Sequence, residues 1–364
     1  MQLHSRYYLS LLLLISLYTG CTTATRPMKE PTGLILETED FVVLPVYYGT
    51  NRNNTGDKEI PKYYGYKYSD TMDFGLGMVS IPREHKLGES ESPSMLSSED
   101  PTHHVVLQKV HPLKDGKFFS NLHQETKSRK EILVFVHGFN VTFEDAMRRT
   151  AQIAYDLHFK GPVILFSWPS KGDVSPPGYV HDKDIIGVSA RQLKEFLKSI
   201  AHESDADAIH LVAHSMGNVA LARALAEIAQ EAGKPVFSEV MMVAPDLNVN
   251  EFRNLVRDFQ KVAKRITLYA SSKDKALMIS KEMNGGLRRA GEAGEDIIVI
   301  SGMDTVDVSN VDTSLVGHTY YGDNNSVISD MIQLLKGLSP SNRSLVARSI
   351  KDMKYWVFQN PQVK

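Results

Sequence analysis

The chain has 364 residues, of which 42% are hydrophobic and 23% charged, with a formal net charge of −2 at pH 7. This composition is typical of a globular protein with one large or two small domains. No run of Lys or Arg is longer than a pair, so the chain lacks the basic stripe that nucleic-acid binding requires, and nucleic acid is excluded as a partner.

The first residues predict export. Residues 1–20 contain Arg6 and then an apolar run, Leu9 to Tyr18, which at about ten residues is too short to span a bilayer and is typical of a signal peptide. Cys21, the only cysteine, follows small residues at the expected cleavage point. This arrangement resembles the lipobox of bacterial lipoproteins, which implies acylation of Cys21 and a lipid anchor in the bacterial cell envelope. The alternative is an ordinary secretory signal followed by a free thiol.

A tether and a β-rich segment follow. Residues 21–40 are polar at their start and hold two prolines before residue 32, as expected of a tether. Residues 41–130 are predicted to form the N-terminal strands and loops of the folded domain, because 41–48 and 77–81 are short β-rich runs bounded by turn residues. Residues 83–103 are polar and predict a loop.

The core of the domain is predicted at residues 131–338, where apolar runs alternate with segments of helical spacing. Continuous apolar runs indicate strands that are buried on both faces. Such runs occur at 132–136, 163–166, 240–243 and 297–300, and similar runs with one polar residue each occur at 208–212 and 266–269. Strands separated by amphipathic helices, the last of them at 327–335, predict an α/β fold with a mostly parallel sheet between two helical layers. Residues 339–364 are predicted to be a C-terminal helix or tail, packed on the domain or touching a membrane surface.

The segment LVAHSMGN, Leu211–Asn218, lies where a predicted strand passes into a helix. It is nearly the G-x-S-x-G turn that exposes a nucleophilic serine, with Ala213 in place of the first glycine. The requirement at that position is steric, and alanine adds only one methyl group. We therefore predict that Ser215 is a nucleophile and that the backbone N–H of Met216 faces an oxyanion. A serine that merely caps the helix is the alternative.

Three further features follow predicted strands in the required places. The segment His137–Asn140 follows the strand two units before Ser215, where a second oxyanion donor usually arises. Asp274 and then His318 complete the chain order serine, acid, histidine that is typical of α/β-hydrolases. Asp246 also follows a strand, so it is the alternative acid, although it could equally cap a helix.

Taken together, these segments resemble an α/β-hydrolase, and specifically a bacterial group with this fold whose function is unknown. The resemblance covers roughly residues 43–336. Its motifs are Val46–Arg52, Val134–Asn140, Phe166–Ser170, Ala213–Gly217, Val243–Asp246, Ser271–Asp274 and Gly317–Tyr320. It implies the α/β-hydrolase fold and serine hydrolase chemistry, and it supplies no substrate.

The expected reaction is hydrolysis of a small-molecule carboxylic ester through an acyl-enzyme. His318 takes the proton of Ser215 during attack and returns it to the leaving alcohol, while Asp274 orients the imidazole. The N–H groups of Met216 and Phe139 receive the oxyanion.

The remaining site predictions concern the pocket. His137, Gly138 and Asn140 are expected beside the substrate, with His137 supporting the oxyanion loop. Trp168 is either a pocket wall or a core residue. Neither a cofactor nor a metal is expected, because the sequence contains no H-E-x-x-H or C-x-x-C pattern.

Two other functions remain open at this stage. The chain could be an envelope-bound binding or scaffold protein that keeps the fold without turnover. It could also be a thioesterase, amidase or acyltransferase with the same three residues. The sequence does not indicate an oligomeric state.

Overall fold

A computed structural model describes residues 36–93, 98–295, 297–311 and 325–358. The predicted signal peptide, most of the predicted tether, Cys21 and His318 lie outside these residues. The described strands are β1 Leu36–Glu37, β2 Phe41–Asn54, β3 Tyr64–Pro82, β4 Val106–Leu113, β5 Glu131–Val136, β6 Val163–Ser167, β7 Ala208–His214, β8 Phe237–Val243, β9 Ala263–Ala270, β10 Asp304–Asp307, β11 Leu345–Ile350 and β12 Met353–Phe358.

The described helices alternate with the central strands. They are α1 Ile60–Tyr63, α2 Asp115–Thr126, α3 Phe143–Asp156, α4 Pro176–Glu203, α5 Gly217–Glu231, α6 Val249–Phe259, α7 Lys275–Met283 and α8 Asn325–Leu335. A short 3₁₀ turn, Pro340–Asn342, precedes β11. No helix within these described ranges has the length and apolar character needed to cross a bilayer.

The strands of the described chain form one mixed sheet in the order β11-β12-β10-β9-β8-β7-β5-β6-β2-β3-β4, with β1 beside β2. All pairings from β2 through β6, β5, β7, β8, β9 and β10 to β12 are parallel. The pairings of β1–β4 and of β11 with β12 are antiparallel. The structure thus confirms the predicted α/β class with a mostly parallel sheet and an antiparallel N-terminal extension.

Alternate residues of each central strand pack on opposite faces of the sheet, as the two-residue period of a strand requires. Ile132 and Val134 of β5 join the core under α2, α4, α5 and α6. Leu133 and Phe135 join the core under α3 and α8. Both faces are therefore covered, which explains why the central strands read as continuous apolar runs.

The loop between β5 and α3 has a well-defined end. The Oγ1 of Thr142 accepts a hydrogen bond from the Asp145 N–H at 3.1 Å, and the Asp145 carboxylate accepts from the Thr142 N–H. This capping box is the one that the sequence T-F-E-D predicts. It fixes the point at which the His137–Asn140 segment must return to a helix.

Two sequence-based predictions of secondary structure are wrong. Residues 297–300 form no strand; the strand that pairs with β9 is β10, a few residues later. Ile297 and Ile298 are buried, but the Ile298 carbonyl accepts from the Thr305 hydroxyl at 2.7 Å instead of joining a ladder. An apolar run records burial and cannot by itself distinguish a strand from a buried loop.

The described part of 339–364 forms a β-hairpin, whereas a helix or tail was predicted. β11 and β12 pair with Ile350 opposite Met353, and the two residues between them, Lys351 and Asp352, have φ of 49° and 64°. Positive φ at both central positions is typical of the type I′ turn that matches the twist of a hairpin. β12 then adds to the sheet beside β10.

Candidate active site

The turn between β7 and α5 holds Ser215 in a left-handed conformation. Its φ is +50°, a region that residues other than glycine rarely adopt and that is characteristic of strained turns at functional sites. The Ser215 N–H donates to the Val243 carbonyl at 2.9 Å. This bond anchors the turn to the end of β8, so the strain is held in place by the neighbouring strand.

Gly217 makes the close approach that the turn requires. A Cβ at this position would lie 2.4 Å from the His137 carbonyl oxygen and 2.8 Å from the Val136 carbonyl oxygen. Ala213, by contrast, lies within the ladder of β7, opposite Val136 and Met242. The alanine therefore occupies an ordinary strand position, and the glycine requirement falls on Gly217 alone.

A buried asparagine braces the turn, and sequence reasoning missed it. The Asn218 amide nitrogen lies 3.1 Å from three carbonyl oxygens, those of Ala213, Ser215 and Val243. The side chain is fully buried, so it replaces backbone pairing that the sharp turn forgoes. Its only signal in the sequence is a polar residue where the helix should begin to face the core.

The loop after β5 packs directly against Ser215. A Cβ on Gly138 would lie 3.0 Å from the Ser215 Cβ and 3.0 Å from the His214 Nδ1, so glycine allows this approach. Within the described ranges, neither the Met216 N–H nor the Phe139 N–H has a backbone hydrogen-bonding partner. The first N–H groups of a helix lack partners inside the helix, and Met216 stands at the start of α5.

His137 lies beneath this loop as a neutral side chain. Burial, reinforced by the charge of Arg52, lowers the pKa of His137 to about 3. Its Nδ1 lies 2.9 Å from the Gly138 carbonyl oxygen and its Nε2 lies 3.1 Å from the Trp168 carbonyl oxygen. Both ring nitrogens are therefore engaged by the backbone, and the side chain braces the loop after β5. The predicted role of this loop in binding an oxyanion stays a prediction.

Trp168 is a support for the same loop. It is fully buried, its ring stacks on the His137 ring with centroids 5.0 Å apart, and its indole N–H donates to the His137 carbonyl at 2.7 Å. Of the two roles left open for Trp168, the structure supports the core role. A fully buried ring cannot form the wall of an open pocket, and its polar atom is already satisfied.

Arg52 connects the loops that follow β5 and β6, and sequence reasoning gave it no role. It is 2% exposed, and burial lowers its pKa to about 9 while the charge of Asp182 opposes that shift. Its guanidinium donates to Ser167 Oγ at 2.9 Å and to the carbonyls of Ser170 at 2.9 Å, Val141 at 2.8 Å and Gly65 at 3.2 Å. One cation thus fixes three backbone segments.

Asp182, in the first turns of α4, holds the other side of this loop. Its carboxylate is fully buried and accepts from the Ser170 hydroxyl at 2.5 Å, the Lys171 N–H at 2.8 Å and the Asn140 N–H at 3.3 Å. Asn140 itself has φ of 58°. The left-handed residue in the loop after β5 is therefore fixed by a buried carboxyl group.

The two candidate acids have different environments. The Asp246 carboxylate is paired with the Arg289 Nε at 2.6 Å and also accepts from the hydroxyls of Ser280 at 2.5 Å and Tyr179 at 3.2 Å. Asp274 is equally buried and caps α7, because it accepts from the Leu277 N–H at 3.0 Å. It lies just beyond the end of β9, two strands from the strand that ends at Ser215.

A cavity of about 530 Å³ adjoins the turn on the side of Met216. The first turns of α4, the start of α5 and the segment from Asp246 to the start of α6 form its walls. Asn284, Leu287 and Arg289 close it from the remaining side. Its position next to the candidate oxyanion donor makes it the natural place for a substrate group.

The structure therefore brings together five of the predicted residues: His137, Gly138, Ser215, Met216 and Asp246. Asp274 follows β9, which is adjacent to β8, at the same edge of the sheet. Across the described ranges no cluster of three or more His, Cys, Asp or Glu side chains could hold a metal ion. The position of His318 stays a prediction.

A mostly parallel sheet with helices on both faces, and a strained serine turn at the carboxyl end of a central strand, define an α/β-hydrolase. The chain matches the family described as alpha/beta hydrolase of unknown function (DUF900) over residues 116–336. That match covers more than half of the chain, and the protein belongs to this family. No curated protein matches the chain.

Solved structures show remote likenesses. Aspergillus fumigatus lipase B is 10% identical, with 62% of this chain and 58% of that one aligned and a TM-score of 0.40. The phospholipase PlaB from Legionella pneumophila is 12% identical, with 63% and 68% aligned and a TM-score of 0.34. A hydrolase from Oleispira antarctica is 10% identical, with 57% and 92% aligned and a TM-score of 0.35. At these values the likenesses carry no argument about the reaction.

Proposed function

We propose that the protein hydrolyses carboxylic esters through an acyl-enzyme on Ser215. The observation that carries the proposal is the turn itself: Ser215 is held at φ of +50° with Gly138 packed against its Cβ. The amides of Met216 and Phe139 flank the serine without backbone partners among the described residues. Such strain persists only where the surrounding structure enforces it, and it is frequent at functional sites.

The proposed reaction has two steps. His318 removes the proton of the Ser215 hydroxyl as its oxygen bonds to the ester carbon, and the same proton passes to the alcohol as the C–O bond breaks. A water molecule then attacks the acyl-enzyme, gives its proton to His318 and releases the acid and the free serine. The N–H groups of Met216 and Phe139 stabilise the oxyanion in both steps, and each such donor typically contributes about 3 kcal/mol.

Asp274 is the acid that we propose for orienting His318. The carboxylate of Asp246 is engaged by a guanidinium and two hydroxyls, so turning it toward an imidazole would break a buried ion pair. Asp274 caps α7 and follows β9 in the order that α/β-hydrolases require.

The site is open on the side of β8. Only α6 and short turns connect β8 to β9, a connection in which many lipases carry a lid. We propose that the substrates are short or exposed acyl esters. Hydrolysis of long-chain emulsions far faster than short soluble esters would contradict this part of the proposal.

A fluorophosphonate, which phosphonylates activated serines, tests the nucleophile. We expect the wild-type chain to be labelled and Ser215→Ala to be unlabelled. Ser272→Ala, a change at an exposed serine after β9, should label fully. His318→Ala should lose labelling, whereas unchanged labelling of Ser215→Ala would rule out the proposed nucleophile. A correctly folded wild-type chain that never labels would favour the scaffold alternative.

Parallel turnover of matched p-nitrophenyl ester, thioester and anilide substrates separates the reaction classes. We expect the ester to be hydrolysed at the highest kcat/KM. A higher kcat/KM for the thioester or the anilide would change the proposed substrate class and leave Ser215 as the proposed nucleophile.

We also propose that the protein is exported and anchored to the bacterial cell envelope through an acylated Cys21. Support comes from the apolar run and the small residues before this single cysteine. Metabolic labelling with an alkyne fatty acid should mark the wild-type chain and leave Cys21→Ser unmarked. Equal labelling of both chains, or of neither, would contradict the anchor.

A further inference from the structure

The cavity beside Met216 lies at the amino-terminal ends of two helices. Met216 and Val219 belong to the start of α5, and Asn248 and Glu251 to the start of α6. The amino-terminal end of a helix carries a partial positive charge and favours anions. Helix ends are common, so the side chains between them decide whether this place is a built site.

Arg289 is a cation buried in the wall of this cavity. Its side chain is 6% exposed. Its Nε donates to the Asp246 carboxylate at 2.6 Å and its Nη2 to the Asp246 carbonyl at 3.1 Å. Nη1 makes no hydrogen bond with the described residues, although the side chain lines the cavity. A guanidinium has five N–H donors in a planar fork, so a face of this cation is left for a ligand.

Asn248 supplies a second donor on the same side. It lies directly opposite Arg289 in an isolated antiparallel bridge, and directly opposed residues of such a bridge project to the same face. Its Oδ1 caps α6 by accepting from the Asn250 N–H at 2.8 Å. Asn248 also lines the cavity, and its amide NH₂ makes no hydrogen bond with the described residues, so it is available as a donor.

The carboxylates of the wall do not compete for these donors. Both oxygens of Asp246 are bonded within the protein. Glu251 is paired with Arg223 through Nε at 2.8 Å and Nη2 at 2.7 Å. The remaining charged residues of the wall, Lys183 and Asp184, are exposed. The charged side chains of the wall thus balance one another, and the two helix ends add a partial positive charge.

We propose that this cavity, which adjoins the serine turn at Met216, binds a carboxylate or phosphate group of the substrate through Arg289 and Asn248. A planar guanidinium beside an amide matches the oxygen pairs of these anions. A bare hydrocarbon chain would leave the buried donors without acceptors, which is unfavourable. The assignment of the anion to the substrate rests on the proposed ester hydrolysis, whereas the binding of the anion does not.

Calorimetry on full-length Ser215→Ala tests the binding without turnover. Glutarate and inorganic phosphate serve as the carboxylate and phosphate probes, and glutaramide serves as the neutral probe of the same length as glutarate. We expect at least one anion to bind at least tenfold more tightly than glutaramide, and the better of the two identifies the chemistry. Equal binding of all three, or binding of none, would overturn the proposal.

Three variants in the Ser215→Ala background locate the binding. Asn248→Asp keeps an oxygen to cap α6 and replaces the donor by a negative charge, so we expect the affinity of the anion to fall at least tenfold without loss of thermal stability. The pair Arg289→Gln with Asp246→Asn removes both buried charges together and should abolish binding. Arg257→Gln, an exposed cation on α6 outside the cavity, should change the affinity less than twofold. An equal loss of anion affinity in all three variants would show that only the overall charge of the protein matters, and this would contradict the proposed site.

A kinetic comparison links the site to the reaction. With Ser215 intact, mono-p-nitrophenyl glutarate should be hydrolysed with a higher kcat/KM than p-nitrophenyl valerate, and Asn248→Asp should reverse this order. Anion binding to Ser215→Ala, without hydrolysis of either ester by the wild-type chain, would contradict the proposed function and leave the anion site standing. Equal kcat/KM for the charged and the neutral ester, together with no binding of either anion, would contradict the anion site and leave the proposed ester hydrolysis standing.

Discussion

Gly217 faces the His137 carbonyl so closely that a Cβ on Gly217 would lie 2.4 Å from that oxygen. This contact joins the start of α5 to the loop after β5, and it therefore sets the distance between the two amides proposed to bind the oxyanion. The opposing atom is backbone and cannot swing aside. The geometry of the proposed oxyanion site therefore depends on backbone packing as well as on side chains.

Gly217→Ala should separate the two amides and lower kcat/KM by at least tenfold, because the added methyl group must displace backbone. Overpacking of this kind typically destabilises a protein by about 1–3 kcal/mol, so Tm should also fall. Ala213→Gly is the matched control: it completes the glycine pattern in a strand position and should cost only about 0.5–1 kcal/mol while kcat/KM stays near wild type. Equal activity of both variants and the wild type would show that the contact does not set the site.

Arg52 is expected to be a positioning residue for the oxyanion loop. Arg52→Lys keeps the charge but cannot reach the carbonyls of Val141, Ser170 and Gly65 together, so the Phe139 amide should lose its fixed position. We expect kcat to fall on the order of tenfold to a hundredfold, since one oxyanion donor accounts for about 10²–10³. KM should change less than threefold, because Arg52 does not face the cavity. A rise of KM at constant kcat would show that Arg52 acts in substrate binding.

Asp274→Asn and Asp246→Asn distinguish the two acids. Asp274→Asn should lower kcat by roughly 10³–10⁴-fold, as expected when the imidazole loses its orienting carboxylate. Asp246→Asn should act mainly on stability, because breaking a buried ion pair typically costs about 3–5 kcal/mol. The measurements are kcat and the free energy of unfolding of each variant. The reverse pattern, a stable Asp246→Asn with lost kcat, would assign the acid to Asp246.

The layers of the fold could be predicted from the sequence because buried strands and helices carry apolar residues at regular spacings. Central strands covered on both faces appear as unbroken apolar runs, and the T-F-E-D capping box marks the start of α3. The prediction of a strand at 297–300 was wrong because a buried loop can be as apolar as a strand. The C-terminal hairpin was missed because Lys351 and Asp352 adopt a turn that their residue types only weakly indicate.

For the candidate site, the sequence revealed the residues at strand ends and missed those that hold them. Arg52, Asp182 and Asn218 each make at least one contact with a segment more than 20 residues away: Arg52 with Val141, Asp182 with Asn140 and Asn218 with Val243. The spacing of residues within one segment does not indicate a contact with a distant segment. A buried charge in a strand and a polar residue on the inner face of a helix were the only hints.

The acid limb of the pH profile should report His318. If this imidazole is the base, kcat/KM should fall below a pH of about 6.5, the ordinary histidine value. His137 cannot produce this limb, since burial and the charge of Arg52 lower its pKa to about 3. The check is kcat/KM of a neutral ester from pH 5 to 8. A flat profile over that range would contradict the assigned base.

His85 should make the stability of the domain depend on pH at alkaline values. Its ring lies between the Glu91 and Asp156 carboxylates, 2.9 Å from each, and its side chain is 2% exposed. Burial alone lowers the pKa, but hydrogen bonds to Asp156 and Glu91 outweigh it and raise the pKa of His85 to about 9. The charged ring thereby ties the segment before β4 to α3.

Because the pKa is higher in the folded chain than the unfolded value of about 6.5, the charged form stabilises the fold. That stabilisation is complete below pH 6.5 and is lost as the pH rises through 9, and a shift of this size corresponds to about 3 kcal/mol. Urea unfolding of wild type and His85→Gln at pH 6, 7.5 and 9.5 measures it, and the difference between them should shrink across this range. His103→Gln, which removes an exposed histidine of the same segment, should follow the wild type at every pH. Parallel pH curves for wild type and His85→Gln would mean that folding leaves the pKa of His85 unchanged. In that case the two carboxylates would contribute no charge-dependent stability through this ring.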